Sequence, residues 1–166
     1  MIFERQIRYY YLRFIRLRGE PHELALGMAF GVFTGMMPIV PFQIATAVAL
    51  SLLFKGSKIT AALGTWISNP LNWYFLYYAN YKVGAFILRI PTQNQMLCSV
   101  MTAIKSGEEW MAIAERILSA GSLGVMTFLL GGILMGTVVA FPTYFIFLPV
   151  FSRIRNWRRA RRKLKN

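Results

Sequence analysis

Three stretches of this chain carry no charged residue: 24–54, 59–81 and 117–152. Each is longer than the roughly 18–20 apolar residues that cross a bilayer as one helix. Charged residues make up 15% of the 166-residue chain, against about 25% in soluble domains. The expectation is an all-α integral membrane protein. A chain this long is enough for one membrane domain: a basic segment over 1–19, a membrane core over 20–151 and a basic tail over 152–166.

The location of the charge sets the orientation. Net charge is +13. Arg5, Arg8, Arg13, Arg16 and Arg18 precede the first apolar block, and eight Arg and Lys residues crowd positions 153–165. Basic segments beside membrane spans stay cytoplasmic and touch anionic lipid headgroups. Both termini are therefore placed in the cytoplasm. The basic runs lack a folded readout module, so nucleic acid is not an expected partner. The connector Lys55-Gly56-Ser57-Lys58 is also basic and is placed inside. The connector over 89–116 mixes Arg89, Lys105 and Arg116 with three Glu and is placed outside.

The first block must then leave and return on one side. Pro38 and Pro41 divide it into 24–37 and 42–54. At 1.5 Å per residue each half reaches about 20 Å, short of the roughly 30 Å hydrocarbon core. This points to a re-entrant hairpin over 24–54, with its tip at Pro38–Pro41. The second block, 59–88, is broken by Ser68-Asn69-Pro70: a proline disfavours helix at the residue before it, while Asn caps well and Pro suits a first helical position. A short helix, a break and a new helix opening at Pro70 are predicted. The third block is a span over 121–151, with Pro142 predicted to divide it into a longer and a shorter piece. Interrupted helices place polar groups inside membranes. Pro38, Pro41, Gln43, Asn69, Pro70 and Asn72 are therefore the candidate ligand or structural-break residues. Asn69 and Asn72 are expected to reach the 35–43 stretch near Gln43.

Gly27, Gly31 and Gly35 lie four apart, as do Gly132 and Gly136, so their helices can approach closely in lipid. The pattern leaves open whether they pack within one chain or between copies. The segments 25–38 and 128–142 share spaced glycines followed by proline, a faint internal echo. Residues 1–19 and 94–118 read as interfacial amphipathic helices, the second broken at Gly107. Glu20, His22 and Glu23 at the mouth of the hairpin, and Lys82 near the end of the second block, are candidate interface or headgroup contacts. A single His argues against a His-based metal site. With no Asp, one Cys and no nucleotide-binding loop, the sequence holds no catalytic constellation and calls for no cofactor.

The runs RLRGEPHELALGMAFGVFTGMMPIVPFQIATAVAL and ALGTWISNPLNWYFLYYANYKVGAFIL resemble the DUF2062 family of bacterial membrane proteins. Pro21-His22, Ala25-Leu26-Gly27, Gly31-Val32-Phe33, Gln43, Trp66 through Pro70 and Tyr81-Lys82-Val83-Gly84 carry the resemblance. Pro41, where Gly is expected, and Asn72, where Thr is commoner, depart from it. The resemblance implies the inner (plasma) membrane of a bacterium as the location, and it implies no activity. Two functions remain: movement of a lipid or amphiphile through the hairpin tip and the Asn-Pro break, or a non-catalytic scaffold or accessory subunit. Membrane lipids are the expected partners, with a homo-oligomer or a larger membrane complex as the possible assembly.

Overall fold

The structure is a computed structural model, and it describes residues 19–39, 42–90, 94–119 and 121–163. The basic helix expected over 1–19 lies almost wholly outside the described residues, as does Pro41. Every regular element described is helical: α1 (Pro21–Gly35), α2 (Gln43–Leu53), α3 (Lys58–Gly64), a 3₁₀ turn (Thr65–Ile67), α4 (Pro70–Leu88), α5 (Asn94–Lys105), α6 (Trp110–Ser119) and α7 (Gly121–Lys163).

Local chemistry sets most of the boundaries. Pro21 takes the first position of α1, where its missing N–H costs nothing, and Glu23 accepts a hydrogen bond from the backbone N–H of Glu20. The Asn-Pro break falls where the sequence predicts: the 3₁₀ turn ends at Ser68, and α4 opens at Pro70. Gly107, at φ +70°, separates α5 from α6, in a left-handed conformation that glycine adopts without strain.

The third block departs from expectation. It is one continuous helix of 43 residues that runs through Pro142 and Pro149, about 65 Å long at 1.5 Å per residue. Pro142 therefore does not divide it. Pro142 removes the backbone donor that would serve the Val138 carbonyl, and the helix continues across that gap. Beside it the Thr143 hydroxyl donates to the Val139 carbonyl at 2.7 Å. Nor does the helix end at 151, since it carries the basic residues onward to Lys163.

α1 and α2 lie side by side as a helical hairpin. The Phe30 and Phe54 rings stack at 5.1 Å, and the Ser57 N–H donates to the Glu23 carbonyl at 2.8 Å, so α2 returns antiparallel to the start of α1. The spaced glycines of α1 then admit a third helix at close range. A Cβ on Gly27 would strike Ser57 and Thr60, one on Gly31 would strike Ala61 and come within 2.7 Å of Gly64 Cα, and one on Gly35 would come within 2.9 Å of Ile67. That face packs within the chain, with α3 and the 3₁₀ turn running parallel to α1 at backbone contact.

α7 is the common spine. A Cβ on Gly136 would meet the Phe33 carbonyl at 2.8 Å, and one on Gly132 would meet Pro38 at 3.1 Å. The two glycine-proline segments of the faint echo thus lie against each other, antiparallel. Nearer its basic end, α7 packs Phe151 with Leu24, Ala25 and Met28 of α1, and Tyr144, Phe147 and Leu148 join them. Its N-terminal part packs on α4, where Tyr77 and Tyr81 meet Phe128 at 6.0 and 5.3 Å. The apolar faces of α5 and α6 complete this second cluster through Val100, Met101, Ala103, Ile113 and Ile117. The sequence periodicity of residues 94–118 therefore reports packing on α4 and α7. The chain holds two packing modules strung along one helix, meeting near Gly131 and Gly132.

Candidate functional site at the hairpin tip

The seam between the modules is built from backbone. α1 ends as the Met36 N–H bonds the Val32 carbonyl at 3.1 Å and the Met37 N–H bonds that of Thr34 at 3.1 Å. The Met36 carbonyl, free of the helix, accepts from Nδ2 of Asn80 at 2.8 Å. Asn80 is 1% exposed, and its other amide atom, Oδ1, has no hydrogen-bond partner. Its side chain joins the middle of α4 to the end of α1, 44 residues away in sequence. Gly131 makes room for this: a Cβ there would lie 2.6 Å from the Asn80 carbonyl carbon. Gly84, one turn further along α4, faces the Thr127 backbone in the same way.

Pro38 lies just beyond, against Gly132 of α7. Gln43 opens α2 after the turn, partly buried, with its Oε1 atom sequestered from solvent and unbonded. Unbonded buried acceptors are uncommon and costly. Two of them flank this turn.

Asn69 accepts from the Asn72 N–H at 3.1 Å, which makes it the cap of α4. Asn72 is exposed, and its Nδ2 turns back to the Ile67 carbonyl at 3.3 Å. Pro70 is the first residue of α4. The Met36 carbonyl is met by the amide of Asn80, a residue the sequence did not single out beside Asn69 and Asn72. One Asn inside an aromatic run carries no local signal. Its only mark is polarity, with no proline, glycine or charge directly beside it.

The opposite end of the hairpin is tied to α7 by polar groups. Glu20 pairs with Arg155, and His22 Nδ1 lies 2.7 Å from the Tyr144 hydroxyl with the rings edge to face. Glu23 serves α1 by accepting from the Glu20 N–H. Lys82 is exposed on α4, its ammonium 5.7 Å from the Tyr78 ring centre. Among the described residues no three His, Cys, Asp or Glu side chains cluster as a metal site would require.

The model of the family described as an uncharacterized protein conserved in bacteria, DUF2062, matches residues 4–162. The chain belongs to the DUF2062 family. No curated protein and no solved structure matches it. The family match spans the hairpin, the Asn-Pro break, the seam at Asn80 and the whole described length of α7 apart from Lys163.

Proposed function

We propose that this protein is embedded in the bacterial inner membrane and moves a lipid or amphiphile, using the polar seam at the hairpin tip as its site. One helix, residues 121–160 of α7, is long and apolar enough to cross a bilayer. Large apolar side chains cover the outside of the fold: Leu53 is 77% exposed and Phe141 69%, with Val138 and Phe145 on the same face of α7. Water would penalise such a surface and acyl chains would not.

The register of the helices suggests where the bilayer lies. Twenty rises of 1.5 Å, from about residue 130 to about residue 150 of α7, match a hydrocarbon thickness of roughly 30 Å. Arg153 then sits just inside the cell, beside the Lys55–Lys58 connector and Glu20. Lys82 sits at the outer boundary. Pro38 lies against Gly132 of α7, two rises of 1.5 Å inside that boundary, so the hairpin tip reaches close to the outer face and turns back.

The observation that supports the transport reading is the Asn80 amide, a buried polar group with an open acceptor where the two packing modules meet; in the proposed register it lies just inside the outer boundary. A polar group of this kind marks a site in membrane proteins more often than a surface position does. The test is lipid movement in sealed liposomes, read by quenching of a headgroup-labelled lipid from outside. The wild type should expose inner-leaflet lipid, and Asn80→Leu of equal folded yield should do so several-fold more slowly. Equal rates for protein-containing and empty liposomes would refute the reading. That outcome would favour an accessory-subunit role, for which the exposed Val138, Phe141 and Phe145 stripe offers a contact face.

A further inference from the structure

The end of α4 carries a second feature. Lys82, Phe86 and Arg89 stand four and three residues apart, so they share one helical face. With Ala85, Ile87 and Ile90 they line an open cleft of about 760 Å³. Both cations are exposed, and Phe86 between them is 85% exposed. No carboxylate lines the cleft, and neither cation forms an ion pair among the described residues. Arg89 ends the helix at φ +53°, a conformation uncommon for a residue with a side chain, while the Ile90 N–H bonds the Ala85 carbonyl at 3.1 Å. With the Arg89 N–H bond to the Phe86 carbonyl at 3.3 Å, this is the left-handed cap that closes α4.

We infer that this cleft binds the headgroup of an anionic phospholipid. The inference rests on the membrane placement above, which sets Lys82 at the outer boundary and Arg89 about 10 Å further out. Two long basic side chains at that separation can converge on one phosphate, Arg89 through paired N–H donors and Lys82 as a compact charge. The rest of the lining is apolar, which suits glycerol and the first acyl carbons and gives a free phosphate nothing to gain. An aromatic ring flanked by cations is also the composition of side chains that sit at a membrane interface. The commitment is therefore to a lipid, and inorganic or glycerol phosphate is an alternative that the experiment separates.

The experiment uses the full chain, extracted from membranes in a mild detergent, with retained lipid counted by native mass spectrometry. Phosphatidylglycerol, phosphatidylcholine and free glycerol phosphate are the probes. Phosphatidylglycerol should bind at least tenfold more tightly than phosphatidylcholine. The double substitution Lys82→Gln with Arg89→Gln should weaken that preference severalfold, the remainder belonging to the basic tail, and the charge-keeping pair Lys82→Arg with Arg89→Lys should retain most of it. Substituting Arg153→Gln and Arg159→Gln, at the other end of the molecule, should leave the preference largely intact. Each single Gln substitution lies on an exposed position and serves if the double variant unfolds. Unchanged lipid preference in the Gln variants, or competition by glycerol phosphate as strong as by lipid, would overturn the inference. Extraction of the wild type from membranes by alkaline carbonate would overturn the membrane reading itself, which is a separate result.

Discussion

Gly131→Ala is a sharp test of the packing because its sign is in question. In an open helix interior, replacing Gly with Ala gains roughly 1 kcal/mol. At Gly131 the added methyl falls on the Asn80 peptide group, 2.6 Å from its carbonyl carbon and 2.9 Å from its Cα. The Asn80 carbonyl oxygen is closer still, and ordinary contact begins near 3.4 Å, so α4 and α7 would have to separate by more than about 1 Å, a gap that forfeits about half or more of each affected dispersion contact. The nearest atoms all belong to backbone, so no rotamer change relieves the overlap. Overpacking of this kind costs about 1–3 kcal/mol. Taking ~3 kcal/mol for a backbone collision and subtracting the ~1 kcal/mol propensity gain leaves a net loss near 2 kcal/mol. For a chain of this size that is a Tm lower by roughly 4–8 °C. Helical circular dichroism recorded on heating in detergent measures it. A Tm that rises, as for Ala in an open helix, would refute the close crossing of α4 and α7.

Three further outcomes rest on named contacts. Asn80→Leu loses the bond to the Met36 carbonyl but also removes an unbonded buried acceptor, effects of about 1–3 kcal/mol each and opposite in sign; Tm should move by only a few degrees, whereas Asn80→Asp, which faces one acceptor with another, should lower it clearly in the same melting assay. Glu20→Gln breaks the pair with Arg155, but Glu20 is 63% exposed at its side chain, so the loss should stay below about 1 kcal/mol and shrink in high salt. Pro142→Ala restores a backbone donor within a helix that is already continuous, so it should raise Tm; a fall would show that the proline shapes α7 in a way its continuity does not reveal.

What could be read from the sequence was local, and what could not be read was long-range. The start of α4 at Pro70 needs only Asn69 and Pro70 to be understood, because capping and the missing N–H act within one turn. The return of the first block to its starting side was expected from the Arg residues over 5–18 and from Lys55 and Lys58, and what the structure adds is that the Ser57 N–H reaches the Glu23 carbonyl, so the segment after α2 lies beside the start of α1. The close face of Gly27, Gly31 and Gly35 was legible as a face, but its partner, α3, was not. Pro142 misled because a proline costs a helix one backbone donor without forcing it to end, and α7 continues on both sides of it. Gly84 and Gly131 matter only as a pair across two helices, and neither stands out alone.

In the proposed topology the chain enters and leaves the membrane on one side between residues 24 and 54, with the α5–α6 segment on the other. Single cysteines at Ser57, Ser106 and Ser152 in a Cys98→Ser background, labelled in intact cells by a reagent that does not cross membranes, test it without intermediaries. Position 106 should label from outside, and positions 57 and 152 only after the membrane is opened. Labelling of 57 from outside together with 106 would rule the topology out, because the first block would then be a crossing and not a hairpin.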